Sequence, residues 1–396
     1  MRISSLRVVV AGLIAQHPRL GGLTWSYLHY LLGLARLGHD VYYVEDSGEL
    51  PYRPLDGATT TGATNARYVR DVMRRFGLGE RWAYRCASTG KWSGMGAAKR
   101  RDVFDSADLL LNVSGALERP DEYRRNARLV YVDTDPVFTQ IKLLRPRGYT
   151  GFRERADAHD SHFTFGECLS HPYSATGHRW KRTRQPIVLA HWQPSLPRRR
   201  VFTTVMSWTS YRPLRFGGRV YGQKDVELRR FLSLPSRAPR ASFEIALNPT
   251  VNAQWQTGSG RRAAPLRLLA DAGWRTVDSA AACRDPERYR EYIYSSMGEW
   301  SVAKHGYVTG RPGWFSERSA CYLAAGRPVI VQDTGLDGVI PTGRGLLTFT
   351  NLDGAVAAVE EVLAGYDLHA AAAREVAEAS FDSDCVLGRL LAEAFR

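Results

Sequence analysis

No stretch of about 18 or more apolar residues occurs in this chain of 396, so the sequence holds no candidate for a membrane-spanning helix. Cysteine is scarce. Its five copies, Cys86, Cys168, Cys283, Cys321 and Cys385, are odd in number and far apart, without disulfide-framework, metal-ligand or redox spacing. Reduced, structural thiols are expected. Lysine is scarce too, with only positions 91, 99, 142, 181, 224 and 304 carrying it among 54 basic residues. The formal charge of +14 would suit a polyanion-binding face. The arginines are scattered, however, and the densest runs, Lys99-Arg100-Arg101 and Arg198-Arg199-Arg200, lack interleaved aromatics. A GC-rich genome produces the same arginine bias without selection for binding, so a solvated basic surface with no nucleic-acid partner is expected. Met1 to Ser5 leads straight into a strand-like segment that is too short, and too polar afterwards, for a signal peptide; a cytoplasmic setting is expected.

What the chain does have is ordinary apolar and charged content, at a length that suggests two domains. The segment from Arg311 to Gly335 reads as loop, helix, tight turn and buried strand in succession. Ser316 is a good helix N-cap, and Glu317, Arg318 and Ser319 fall in a first turn whose unpaired N–H groups and positive dipole end attract an anion. Gly326 and Pro328 end that helix, and Val329-Ile330-Val331 suits a strand covered on both faces. Asp333, Thr334 and Gly335 follow at its carboxyl end, where open α/β sheets place ligands. The segment is read as a phosphate-binding unit.

The run Ala324-Ala-Gly-Arg-Pro-Val-Ile-Val-Gln-Asp-Thr-Gly335, with Gly338-Val-Ile-Pro and Gly343-Arg-Gly-Leu-Leu-Thr-Phe349 after it, resembles the donor-binding half of GT-B nucleotide-sugar glycosyltransferases. The likeness is greatest to the retaining group that includes glycogen synthase and the bacterial mannosyltransferases. It implies an α/β fold of two Rossmann-like domains whose parallel sheets face a cleft. Residues 1–192 would bind the acceptor and 193–200 form a hinge. Residues 201–380 would bind the donor, and a helix over 381–396 would pack back on the first domain. The implied activity is transfer of a sugar from a nucleotide diphosphate sugar to a small-molecule or carbohydrate acceptor, with no cofactor and no metal required. A sugar-nucleotide epimerase, a pseudo-glycosyltransferase and an inactive sugar- or nucleotide-binding protein are the other readings, and the oligomeric state is left open.

Candidate site residues follow from the same comparison of pattern and resemblance. Strand, glycine turn, helix and strand over Leu6 to Asp46 form half of a mononucleotide-binding arrangement. Gly21-Gly22 allows close backbone approach to a sugar or phosphate, unless it is a plain tight turn. His17, in the same loop, is a general-base candidate by likeness to the inverting branch. Its spacing to Gly38 is long for that branch, which favours a structural or acceptor-contacting role. Asp133 and Asp135 stand where the resembled family ends a strand in a histidine. Two positions apart on an extended segment, they point to the same side, suited to binding hydroxyls, a metal or an amine, or to acting as a base; capping of the next helix is the alternative.

In the second half, Arg219 and Lys224 are candidates for the donor diphosphate, with a surface lysine the alternative for Lys224. Val302 to Tyr307 is expected as the strand before the donor loop, with Lys304 and His305 on the base or the phosphates. The family's two glutamates fall on Gly313 and Cys321 here. Glu317 lies one turn before Cys321 on the same face and is the candidate substitute, with Arg318 or Ser319 taking the phosphate. Trp25, Tyr27, Trp208 and Trp314 are expected near the cleft, where they would suit a hydrophobic or carbohydrate acceptor.

Overall fold

The computed structural model describes residues 5–49, 62–145, 147–248 and 265–396. The first four residues of the leader reading lie outside them. Two sheets organise the chain. The first contains β1 (Arg7–Ala11), β2 (Asp40–Glu45), β3 (Trp82–Arg85), β4 (Trp92–Gly94), β5 (Leu109–Val113), β6 (Arg128–Asp133), β7 (Ser161–Thr164) and β8 (Trp180–Arg182). Its order is β4-β3-β2-β1-β5-β6-β7-β8, parallel except for β4. β9 (Phe202–Ser207) opens the second sheet after a hairpin-free proline–arginine segment, and β10 (Leu214–Phe216) and β11 (Arg219–Tyr221) form a separate antiparallel hairpin. β12 (Phe243–Asn248), β13 (Arg275–Asp278), β14 (Gly298–Ser301), β15 (Val329–Gln332) and β16 (Leu346–Phe349) complete the second sheet, all parallel, in the order β13-β12-β9-β14-β15-β16.

The strands are where near-continuous apolar runs put them. Val8, Val9 and Val10 are wholly buried in β1, as are Leu109 and Leu111 in β5 and Val329 and Ile330 in β15, because helices cover both faces of a parallel sheet. The chain winds outward from β1 in one direction, then restarts at β5 in the other, and it does the same at β9 and β14. Each reversal leaves a crevice at the carboxyl ends of the two strands, the place where such sheets bind ligands.

One strand lies earlier than the sequence pattern suggests. The strand before the donor loop is Gly298–Ser301, and Lys304 only caps a short helix, His305–Gly310. Glu299 hides it, since a carboxylate at the centre of a buried strand breaks the apolar run; an ion pair with Arg318 satisfies it there.

The sheets are tied together closely. The first helix, Gly21–Arg36, packs on the last, Ser383–Ala394, where a Cβ added at Gly33 would sit 2.6 Å from Leu387 Cδ1. Trp25 Nε1 donates to the Pro286 carbonyl at 2.8 Å. Ile187 pairs with Asp382 as an isolated parallel bridge between two chain segments that cross from one sheet's surroundings to the other's. The β10–β11 hairpin reaches back to the first sheet's side, where Tyr221 and Tyr173 share a hydroxyl hydrogen bond of 2.6 Å.

Candidate functional site

A cavity of about 320 Å³ opens between the carboxyl ends of the two sheets. Gly22, Ser26 and Tyr30 of the first helix line one wall, and Ser114 and Thr134 continue it from the loops after β5 and β6. Opposite stand Tyr289, Trp314, Ser316, Glu317 and Arg318. A smaller space of about 20 Å³ shares Trp314, Ser316 and Arg318 and runs under Ser319, Gln332 and Thr334. The predicted phosphate-binding unit therefore sits on the cavity.

The helix Glu317–Ala324 starts at Ser316, whose side chain makes no capping hydrogen bond. The N–H groups of Glu317, Arg318 and Ser319 have no partner among the described residues, which leaves an open positive helix end. Ser319 Oγ is buried and unpaired as well. Arg318 donates to Glu299 Oε1 at 2.5 Å, to the Val205 carbonyl at 2.8 Å and to Ser301 Oγ at 2.8 Å, which fixes its guanidinium at the cavity edge. Lys224, at the start of the helix Lys224–Leu228, makes no hydrogen bond or ion pair among the described residues. Burial and the neighbouring charge of Arg318 push its amine well below the ordinary lysine range. An anion here would relieve both effects.

The acidic pair is a correction. Asp133 Oδ1 accepts from the Asp135 N–H at 3.0 Å and Thr139 Oγ1 at 2.7 Å, and Oδ2 from Gln140 Nε2 at 2.9 Å and Thr164 Oγ1 at 2.8 Å. Burial pushes this carboxyl up while those four donors pull it back, and they leave no lone pair for a substrate. Asp133 organises the turn into the helix Phe138–Leu144 instead of reacting. Asp135 is held from the other domain by Lys304 Nζ at 2.9 Å and by the hydroxyls of Tyr211 and Tyr307. Burial alone would raise it, but Lys304 and Lys142 outweigh that and hold it below the usual carboxylate range. Neither carboxylate lines the cavity. Thr134, between them, faces it.

Other predicted residues are distributed unevenly. Gly22 lines the cavity, whereas Gly21 serves domain contact: its N–H donates to the Cys283 carbonyl at 2.8 Å, and a Cβ there would lie 2.2 Å from the Asp285 carbonyl oxygen. His17 sits half-buried after β1 and lines neither cavity; burial pushes its ring down to about 4. Arg219 is exposed on the β10–β11 hairpin and lines neither cavity. Lys304 is spent on Asp135 and Tyr211, and His305 Nδ1 pairs with Glu227 Oε1 at 2.6 Å. Asp333 braces its own turn, accepting from the N–H groups of Gly335 and Leu336, and pairs with Arg311. Gly335 takes φ +90°, and a Cβ there would lie 2.9 Å from the Arg311 carbonyl oxygen. Thr334 borders the smaller cavity. Of the four aromatics, Trp314 alone lines the cavity; Trp25, Tyr27 and Trp208 are core residues.

Sequence reasoning passed over Tyr30 and Tyr289. Both line the cavity, and both carry buried hydroxyls without a partner among the described residues. Tyr289 adjoins Gly22, whose missing side chain makes room for its ring. Their spacing in apolar helix faces gives a sequence reader only a core pattern. His29, Glu317 and Cys321 also converge, with their ligand-type atoms within 4.8 Å of one another. Among the described residues no helix is long and apolar enough to cross a membrane.

No protein-family model matches the chain, and no curated protein matches it in sequence. Solved structures do match in shape. An alpha-glucosyltransferase in complex with UDP and a DNA containing an HMU base aligns over 100% of both chains at 12% identity, with a TM-score of 0.60. The Anabaena protein HepE, in complex with UDP and glucose, aligns over 98% of this chain and 99% of its own at 12% identity and a TM-score of 0.56. A sucrose-phosphate synthase from Thermosynechococcus elongatus aligns over 98% of both at 12% identity and 0.53. At this identity the likeness is one of fold, and the fold is GT-B.

Proposed function

We propose that this protein is a glycosyltransferase that moves a sugar from a nucleotide diphosphate sugar to a small-molecule or carbohydrate acceptor. The observation that carries the reading is the cavity between the sheets, where an uncapped helix start and Arg318 meet Gly22 and the hydroxyls of the first domain, with the amine of Lys224, unpartnered among the described residues, near Arg318. Charge develops on the departing diphosphate in such a transfer. Preorganised N–H groups and cations aimed at it stabilise the transition state more than the ground state. Arg318 is already held in place by Glu299, so little reorganisation accompanies its use. UDP in the complexes of the glucosyltransferase and of HepE supports a nucleotide donor.

The finer reading places the chain with the retaining group, although Gly313 and Cys321 stand in its two glutamate positions. Arg318, Lys224 and the helix start take the charge-stabilising role, so transfer is proposed to need no cofactor and no metal ion. A cytoplasmic setting and an acceptor other than nucleic acid belong to the same reading. Residues 1–192 are proposed as the acceptor domain, 193–200 as the hinge and 201–380 as the donor domain. The test is incubation of purified protein with UDP-, GDP-, ADP- and dTDP-linked hexoses. Slow donor hydrolysis and a rise in Tm with one nucleotide are expected; neither response with any donor would end the reading. Interconversion of the sugar without hydrolysis or transfer would point to an epimerase instead.

A further inference from the structure

Glu317 is the carboxylate of the cavity, and the chain of groups behind it has a fixed direction. The Val188 backbone N–H donates to His29 Nδ1 at 3.1 Å. A backbone amide can only donate, so Nδ1 is an acceptor and the neutral ring keeps its proton on Nε2. Burial, with His191 nearby, pushes His29 down to about 3, so the ring stays neutral. Nε2–H faces Cys321 Sγ at 3.7 Å, and the Cys321 thiol donates to Glu317 Oε1 at 3.1 Å. Burial, followed by the charge of Glu317, keeps that thiol protonated. The first donor cannot reverse, so neither can the rest, and donors in series polarise one another.

We propose that Cys321 and His29 are positioning residues for Glu317, and that their hydrogen-bond chain commits its second oxygen, Oε2, to a hydroxyl group of the ligand in the cleft. The proposal rests on the nucleotide-sugar reading. Oε1 takes the thiol, with His29 Nε2 also 3.8 Å away, while Oε2 has no hydrogen-bond partner among the described residues. The charged and titratable groups facing Glu317 are Arg318 on its own helix, Glu299 of β14 and Tyr289 of the helix Pro286–Ser295. Burial raises the carboxyl to about 7, so it is ionised in mildly alkaline solution. An ionised carboxylate repels phosphate and accepts from a hydroxyl, which leaves the phosphates to Arg318 and Lys224. A divalent metal fits the trio poorly. It would need the Nε2 lone pair and a thiolate, and so the loss of the Val188 bond and of the thiol proton.

The hydroxyl belongs to the ribose or to the transferred hexose, and two ligands separate these sources. At pH 8, Glu317→Gln is expected to weaken UDP-glucose roughly tenfold to a hundredfold in calorimetry. An equal loss with UDP assigns the ribose, and a loss confined to UDP-glucose assigns the hexose. Cys321→Ala is expected to lose several-fold in affinity and Cys321→Ser to recover it, since serine restores the donor. Wild-type affinity for UDP-glucose is expected to rise from pH 6 to pH 8, and Glu317→Gln to lose that rise. Unchanged affinity in Glu317→Gln, or stoichiometric Zn²⁺ binding lost in Cys321→Ser, would overturn the proposal. A Raman S–H band, assigned by its absence in Cys321→Ser, is expected to move to the free-thiol position in Glu317→Leu. A band that stays would overturn the chain whatever the protein binds. If the band moves but neither UDP nor UDP-glucose binds, the nucleotide-sugar reading and the hydroxyl assignment fall together, and the positioning chain stands.

Discussion

Two polar clusters flank the cleft, and they use their hydrogen bonds in opposite ways. Around Asp133 and Asp135 nearly every lone pair meets a donor from Thr139, Gln140, Thr164, Lys304, Tyr211 or Tyr307. Around Arg318, the amine of Lys224, the hydroxyl of Ser319, Glu299 Oε2 and the first-turn N–H groups lack partners among the described residues. The first cluster is complete without a ligand and therefore shapes the protein. The second is costly as it stands, since buried polar groups without partners are destabilising, and a bound anion would satisfy its donors.

The comparison breaks most visibly at Asp133. Asp133→Asn turns one accepting oxygen into a donor facing Gln140 or Thr164, so stability should fall by about 3 kcal/mol in urea unfolding, with weaker turnover only as a consequence. Near-normal stability with turnover abolished would make Asp133 a reacting group after all.

The next largest effect should come from the unsatisfied side. Lys224→Met should weaken UDP binding by roughly 1.5–3 kcal/mol yet unfold no earlier than wild type, because it removes a buried amine that has no partner among the described residues. Titration calorimetry and a melting curve on the same preparation check the two halves. A variant that binds normally but unfolds early would place Lys224 in the structural class.

A pH series sharpens the contrast further. Glu45 is buried, and Glu317 is nearly so; burial raises each carboxyl from an ordinary 4.5 to about 7. A raised carboxyl contributes stability that is fully present below pH 4.5 and is lost as pH rises through 7, because the folded state holds the extra proton in that window. Each group is worth at most about 3 kcal/mol by that linkage. Glu45 accepts from the N–H groups of Ala15 and Gln16 and from the Tyr43 hydroxyl, with no free oxygen. Saturating nucleotide should therefore change the pH dependence of Tm in wild type and in Glu45→Gln alike, and change it less in Glu317→Gln, where Lys224 but no carboxyl of the cavity is left to respond. The smallest effect belongs to Arg219→Ala, whose nucleotide affinity should stay within about twofold of wild type because the side chain is exposed on its hairpin.

What the sequence disclosed follows the same division. Buried parallel strands announce themselves as apolar runs, so β1, β5, β6, β9 and β15 were legible, and so was the α/β class. The helix start at Ser316 was legible because an N-cap residue, a glycine and a proline punctuate it at fixed offsets. β14 was not, because its central Glu299 depends on Arg318, a partner 19 residues away. The acidic pair failed by one position, since alternation along a strand says which residues share a face but not which face meets the ligand. The meeting of His29 with Cys321 spans 292 positions and leaves no local trace. Glu317 and Cys321, four apart on one helix, could be paired by eye.

The bridge between Ile187 and Asp382 has a mechanical consequence. The polypeptide passes between its halves twice, and at this point the outgoing and returning strands lie side by side, with the Ile187 N–H donating to the Phe381 carbonyl and the Ser383 N–H to that of Ile187. Two threads stitched to each other cannot slip independently: a shift of the segment at Ile187 along its own axis carries the segment at Asp382 with it, so the two crossings act as one tie.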